Sequence, residues 1–181
     1  MVDVQLYVRG QIYSGWTQAT VTKSLDAIYG EATLSLTRLN EQGPTTVPAI
    51  SIDDDARLTI DGQTRIAGYI KSRDLDINED GFDLNIVVHD KTSRLFRGSV
   101  VNFPAEWKSQ TALQIIEAVC KPFGVTVRAE VPVGKPFEKF TAQPGDTAAK
   151  VIERVCRHRA LMVYADNNGQ LVITTAKAAT V

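Results

Sequence analysis

The sequence predicts a mainly β protein with an α+β second part: an antiparallel β-barrel over residues 1–100, then a small domain with two helices over residues 101–181. Three observations predict it. First, between Ala56 and Thr92 the residues Leu58, Ile60, Ile66, Gly68, Ile70, Phe82, Leu84, Ile86 and Val88 fall on even positions, while Arg57, Thr59, Asp61, Arg65, Lys71, Asp83, Asn85 and His89 fall on odd ones. A period of two is that of extended chain with one face buried and one wet. Second, five to seven short strands with turn signals at intervals of roughly 8–12 residues suggest a sandwich or barrel, and closure into a barrel would remove exposed edges. Third, after Val100 the rhythm becomes helical and the charge changes sign. Residues 1–100 carry 10 Lys/Arg against 14 Asp/Glu, and residues 101–181 carry 10 against 7.

The elements follow in order. Val4, Leu6 and Val8 alternate with Gln5, Tyr7 and Arg9, and Arg9-Gly10 turns this first strand into a short segment at Ile12–Trp16. Thr20-Val21-Thr22 and Ala32, Leu34, Leu36 are β-branched or alternating runs, separated by a polar break at Lys23–Asp26 and by Tyr29-Gly30, which predicts a bulge or bend. Asn40–Pro48 is a loop because Pro44 and Pro48 cannot serve a central ladder. Within Ala56–Thr92 three to four sequential antiparallel strands are expected, with Asp61-Gly62 as a hairpin turn and Asn78–Gly81 as another.

In the second part, Ser109 is expected to cap a helix whose apolar face is Ala112, Leu113, Ile115, Ile116, Val119 and Cys120, ended by Pro122 and Gly124. Asp146 is expected to cap a second helix with Ala148, Val151, Ile152, Val155, Cys156 and Ala160 on one side. Neither start reads as a full capping box, since Ala112 and Ala149 stand where Glu or Gln would close it. Val125–Ala129 and Phe137–Phe140 are short extended pieces, and Leu161–Tyr164 with Leu171–Ile173 forms a hairpin around Asp166–Gly169.

Composition excludes several functions. A formal charge of −1 argues against a general nucleic-acid binder, no basic and apolar leader opens the chain, and no apolar run approaches a membrane span. Two cysteines, Cys120 and Cys156, suit free thiols in a reducing compartment. Asp53-Asp54-Asp55 could attract a hard cation, but successive residues of extended chain point opposite ways, which favours a solvated loop. His89 beside Asp90 lacks a nucleophile in a recognisable elbow and reads as a surface histidine on the wet face. Arg154, Arg157, His158 and Arg159 read as a solvated helix end or protein contact. The spacings of Cys120, Cys156, His89 and His158 match no zinc pattern. No catalytic, cofactor-binding or metal residue is assigned, and neither a cofactor nor an enzyme activity is expected.

One resemblance covers nearly the whole chain. It is carried, in order, by Ser14-Gly15-Trp16, Ala32–Leu36, Leu58–Gly62, Ala67–Ile70, Val87–Thr92 to Leu95, Lys121–Val125, Gly145-Asp146-Thr147, Val151–Arg154 and Leu161–Ile173. This order resembles the N-terminal half of baseplate hub proteins of Mu-like contractile phages, related to late control D proteins and type VI spike hubs. The resemblance implies that the first domain is a tail-tube-type barrel and that the protein is a virion structural component, assembled in the bacterial cytoplasm. Its implied partners are further copies of itself as a trimer, the tail tube and the spike. It would adapt a six-fold tube to a three-fold spike and line a channel that DNA crosses without specific binding, with no membrane insertion. Such hubs carry a second barrel, so this chain is expected to be an excised fragment or a shortened member with impaired assembly. Two other functions compete: a cell-wall module, because Gly145-Asp146-Thr147 before a helix is similar to the opening of LysM domains, and a tail-associated hydrolase.

Overall fold

The structure, a computed structural model, describes residues 2–23, 28–39, 47–78, 81–100 and 105–176. Most of the expected Asn40–Pro48 loop, the polar break after Lys23, the centre of the Asn78–Gly81 turn and Pro104 lie outside these residues. The chain divides into two compact units, residues 1–90 and 91–181.

Unit 1 is one antiparallel sheet of seven strands: β1 Val4–Val8, β2 Gln11–Tyr13, β3 Gln18–Thr22, β4 Glu31–Leu39, β5 Asp55–Ile60, β6 Gln63–Asn78 and β7 Gly81–Asp90. Their spatial order is β2-β1-β5-β6-β7-β4-β3, and the sheet curls as a half-barrel whose end strands are β2 and β3. Two hairpins are closed by two-residue turns, Arg9-Gly10 (φ 50° and 77°) and Asp61-Gly62 (φ 50° and 75°). Both central residues have positive φ, the geometry whose twist matches that of the flanking strands.

The even positions of β5–β7 do face inward. Leu58, Ile66, Ile70, Leu84, Ile86 and Val88 are fully buried with Leu6 and Leu34; each such Leu or Ile contributes about 1.5–3 kcal/mol relative to exposure. Three strands, not four, fill this stretch, because β6 runs unbroken for 16 residues. It absorbs one extra residue at Lys71, where the pairing shifts from Ile70↔Val88 to Ser72↔Val87. An inserted residue reverses which parity faces the core. Beyond it the odd residues take the core side of the pairing: Leu75, partly buried, lies opposite Leu84, and Ile77, still 66% exposed near the strand end, lies opposite Phe82.

Unit 2 begins with a 3-10 turn at Lys91–Phe96, whose Leu95 is buried. It continues with β8 Glu106–Gln110, α1 Ala112–Cys120, β9 Val127–Ala129, β10 Phe137–Thr141, α2 Ala148–His158, β11 Met162–Ala165 and β12 Leu171–Thr174. The expected small sheet is two sheets: β8 pairs with β10, and β12 lies between antiparallel β11 and parallel β9. The apolar faces of α1 and α2 are buried at Ile115, Ile116, Val119, Val151, Ile152 and Val155, and the two helices pack together.

Both expected caps move. Ser109 belongs to β8 with φ 53°, and the cap of α1 is Thr111, which forms a complete capping box with Gln114. The cap of α2 is Thr147, whose Oγ1 accepts from the Lys150 N–H at 3.3 Å. Pairing of Lys108 and Gln110 with β10 holds the chain in the ribbon up to Gln110, so the first helical turn starts later than the apolar spacing alone suggests.

Unit 1 ends where β7 ends, ten residues before the change of rhythm near residue 100, and this boundary sharpens the charge contrast. Residues 1–90 carry 7 Lys/Arg against 14 Asp/Glu, and residues 91–181 carry 13 against 7.

Candidate functional site

The wet face of the unit 1 sheet is built from the odd positions of β5, β7 and the first part of β6 and from their neighbours on β4. At one end His89 does not stand free as expected: its side chain is only 12% exposed, with Nε2 2.9 Å from Glu31 Oε2. The Tyr29 ring lies 5.2 Å away and the Tyr69 ring 6.4 Å away. Two tyrosines flanking a cross-strand position bury a ring that alternation alone assigns to solvent. Asp90 faces the other way and is fully buried, accepting from the Gly30 N–H at 2.5 Å. The His89-Asp90 dipeptide therefore cannot act as an orienting pair.

At the other end the outer ladder is polar and acidic. Ser35 donates to Asn85 at 2.6 Å and Thr37 to Asp83 at 2.7 Å, and Asp76 sits directly opposite Asp83.

The Asp53–Asp55 run is not uniformly solvated. Asp54 accepts from the Ser51 N–H at 2.8 Å and pairs with Arg9 at 2.6 Å, and its side chain is 8% exposed. The Asp53 N–H donates to the Ile70 carbonyl and the Ile70 N–H to the Asp54 carbonyl, both at 2.9 Å, which pins the loop to β6. The run is a structural corner that ties loop, hairpin turn and strand together. Among the described residues no group of three or more His, Cys, Asp or Glu is placed to hold a metal.

On the core side, a groove of about 470 Å³ opens between β2, β4 and the segment after residue 46, lined by Ile12, Tyr13, Trp16, Leu36, Val47 and Phe82. Gln11 and Ser14 add polar groups to its rim, and no charged side chain lines it.

The three arginines toward the end of α2 are occupied locally. Arg154 pairs with Asp146 at 2.8 Å, Arg157 pairs with Glu153 one helical turn away, and Arg159 donates to the Lys135 carbonyl at 2.8 Å while lying 4.2 Å over the Phe137 ring. His158 meets the edges of Phe137 and Phe140. This set fastens α2 to the β10 side of the unit and does not converge on an open anion site. Gly145-Asp146-Thr147 is explained the same way: Asp146 accepts from the Gln143 N–H at 2.8 Å and Thr147 caps α2.

On the β8–β10 ribbon, Glu106 lies 2.8 Å from Lys139 and 3.0 Å from Lys108. Those two hydrogen bonds, Lys139 first, hold its carboxyl below the usual range. Cys120 and Cys156 are buried free thiols, and burial pushes them up to about 12 and about 11. They are inert packing groups at neutral pH. Among the described residues no helix is long and apolar enough to cross a membrane.

What the two units present, then, is surface and edge: two end strands, a charged outer ladder and an apolar groove. Known proteins match the chain along its whole described length. Residues 3–90 match the family described as Mu phage baseplate assembly protein GpP-like, N-terminal, and residues 92–175 match baseplate hub protein gp44-like, second domain. The chain is 30% identical over 176 residues to baseplate hub protein gp44 of Escherichia phage Mu, covering 96% of this chain and 46% of that protein. It thus spans less than half the length of that relative. Among solved structures it is similar to the 43 kDa tail protein of prophage MuSo2 from Shewanella oneidensis, with TM-score 0.91 and 29% identity over 98% of this chain and 56% of that one. The tail protein of Neisseria meningitidis MC58 shares the fold, with TM-score 0.79 and 17% identity over 95% of this chain and 51% of that one.

Proposed function

This chain belongs to the baseplate hub family of Mu-like phages, and we propose that it serves as a mechanical joint in the tail, fitting a six-fold tube to a three-fold spike and forming part of the channel wall. The observation that carries this reading is the likeness to the Mu hub, 30% identical over 176 residues and so spanning both units. The physics supports it. A sheet with two end strands offers neighbours a repeated surface, and two similar sheets in each of three chains would present six such surfaces to a tube. The acidity of residues 1–90 suits a channel that must not hold DNA during ejection. In this reading the protein turns over no substrate, and its partners are further copies of itself, tube and spike, in the baseplate of the virion.

The experiment is imaging and native mass measurement of a phage hub carrying this segment, followed by ejection kinetics. A three-fold particle with a central channel is expected; a particle of another order, or none, overturns the joint. Asp53→Lys with Asp55→Lys, which spares the Arg9–Asp54 pair, is expected to slow ejection. An unchanged rate removes the channel wall from the proposal.

A further inference from the structure

We propose that the acidic end of the unit 1 sheet is a docking surface for the β8–β10 ribbon of a second copy of this chain. In the outer ladder Asp76 lies directly opposite Asp83, and Asp74 opposite Asn85. All three carboxylates are on exposed residues, and among the described residues none of them forms an ion pair. Like charges directly opposite on a sheet work against strand pairing; Asp83 accepts a hydrogen bond from Thr37, but no ion pair among the described residues offsets the repulsion between the two carboxylates.

The ribbon repeats this arrangement with the opposite sign. Lys108 lies directly opposite Lys139, their side chains 71% and 60% exposed. Both reach the single carboxylate of Glu106, which leaves one positive charge in excess. Directly opposite residues of antiparallel strands have Cβ atoms roughly 4.5–5.5 Å apart in either ladder, so the two lysines leave their strands at the same cross-strand spacing as the two aspartates. The units around them are acidic and basic overall, with 7 Lys/Arg against 14 Asp/Glu in one and 13 against 7 in the other. Complementary fields of this kind steer encounter and fix register. The occupant is a second copy because one chain supplies both faces. Joining two different faces is a head-to-tail contact, which closes into a ring when the rotation allows it. The acidic end is seven residues along β6 from the Asp55↔Tyr69 pair, about 23 Å, so it is distinct from the acids tested above. The inference stands on charge and register, so its failure leaves the hub reading untouched.

The test is sedimentation velocity of the 181-residue chain over a range of concentrations, at about 20 mM and about 500 mM salt. Association is expected at low salt, weakened about tenfold or more at high salt. The double variant Asp76→Lys/Asp83→Lys and the double variant Lys108→Glu/Lys139→Glu are each expected to lose self-association. An equimolar mixture of the two should recover it, because each then offers the other a complementary face. Melting curves establish that each variant folds; where one does not, the neutral pairs Asp76→Asn/Asp83→Asn and Lys108→Gln/Lys139→Gln take its place, with association expected to weaken severalfold. A chain that stays monomeric, association indifferent to salt, reversals that associate like the parent, or a mixture that fails to recover would each overturn the proposal.

Discussion

Replacing Gly68 by Ala is the sharpest probe of the unit 1 sheet. A Cβ built on Gly68 would lie 1.8 Å from the His89 carbonyl oxygen, 2.5 Å from Asp90 Cα and 2.7 Å from the His89 carbonyl carbon. All three are backbone atoms of β7, so no side-chain rotation relieves the clash and one strand must move. The movement falls on the residue that anchors the end of the sheet, since the Asp90 carboxylate accepts from the Gly30 N–H and the Asp90 N–H donates to the Gly30 carbonyl. Overpacking costs about 1–3 kcal/mol when neighbours can adjust, and a hydrogen bond to a charged group contributes about 1.5–3 kcal/mol. A loss near the top of the first range, about 3 kcal/mol, follows when the Asp90 contact is partly kept. For a unit of this size that corresponds to a fall in Tm of roughly 12–24 °C. Trp16 lies in unit 1 and Trp107 in unit 2, so fluorescence in a Trp107→Phe background reports unit 1 alone. Gly10→Ala is the comparison: nothing lies within 4 Å of its Cβ and its φ is +77°, so only backbone strain of about 1 kcal/mol applies. If Gly68→Ala costs no more than Gly10→Ala in urea melts, the close approach of β6 and β7 is not what fixes this residue.

Two further outcomes are expected. Thr111→Ala removes the side-chain half of the α1 capping box, leaving the Thr111 N–H to donate to Gln114, and should cost about 1 kcal/mol, while Ser109→Ala should stay within about 0.5 kcal/mol, as read from the urea midpoint of unit 2. The buried thiols of Cys120 and Cys156 keep their protons to about 12 and about 11, whereas the unfolded chain releases them near 9.0. The folded state binds the proton more tightly, so this support is complete below about pH 9 and is lost as pH rises through the folded values. Urea melts from pH 8 to 11 should show stability falling with pH, and Cys120→Ala/Cys156→Ala should flatten that slope.

Much of the fold was legible because alternation is a local property. The even positions from Leu58 to Val88 carry the period of a half-buried strand, and both glycine turns, Arg9-Gly10 and Asp61-Gly62, are written in two adjacent residues. The helical faces of α1 and α2 were legible for the same reason. The caps were not: a capping box is recognised only once the first helical residue is known, and that was set by the pairing of β8 with β10, partners about 30 residues apart. Asp54 was misread because its partner Arg9 is distant in sequence, and His89 because its flanking rings come from Tyr69 on β6 and from Tyr29 in the bend before β4.

By itself the sequence determined which residues are apolar at which period, hence strands before about residue 100, two helices after it, and the opposite charges of the two halves; the end of unit 1 at residue 90 came from the structure. The order of motifs also determined the hub-family resemblance. Only the tertiary structure decided that β2 and β3 are the end strands, that Lys71 is the extra residue reversing the inward parity of β6, and that Asp76 meets Asp83 while Lys108 meets Lys139. The reason is physical: periodicity is set by the geometry of one strand, whereas register, edges and charge neighbours are set by which strands pair, and pairing joins residues that the linear chain keeps apart.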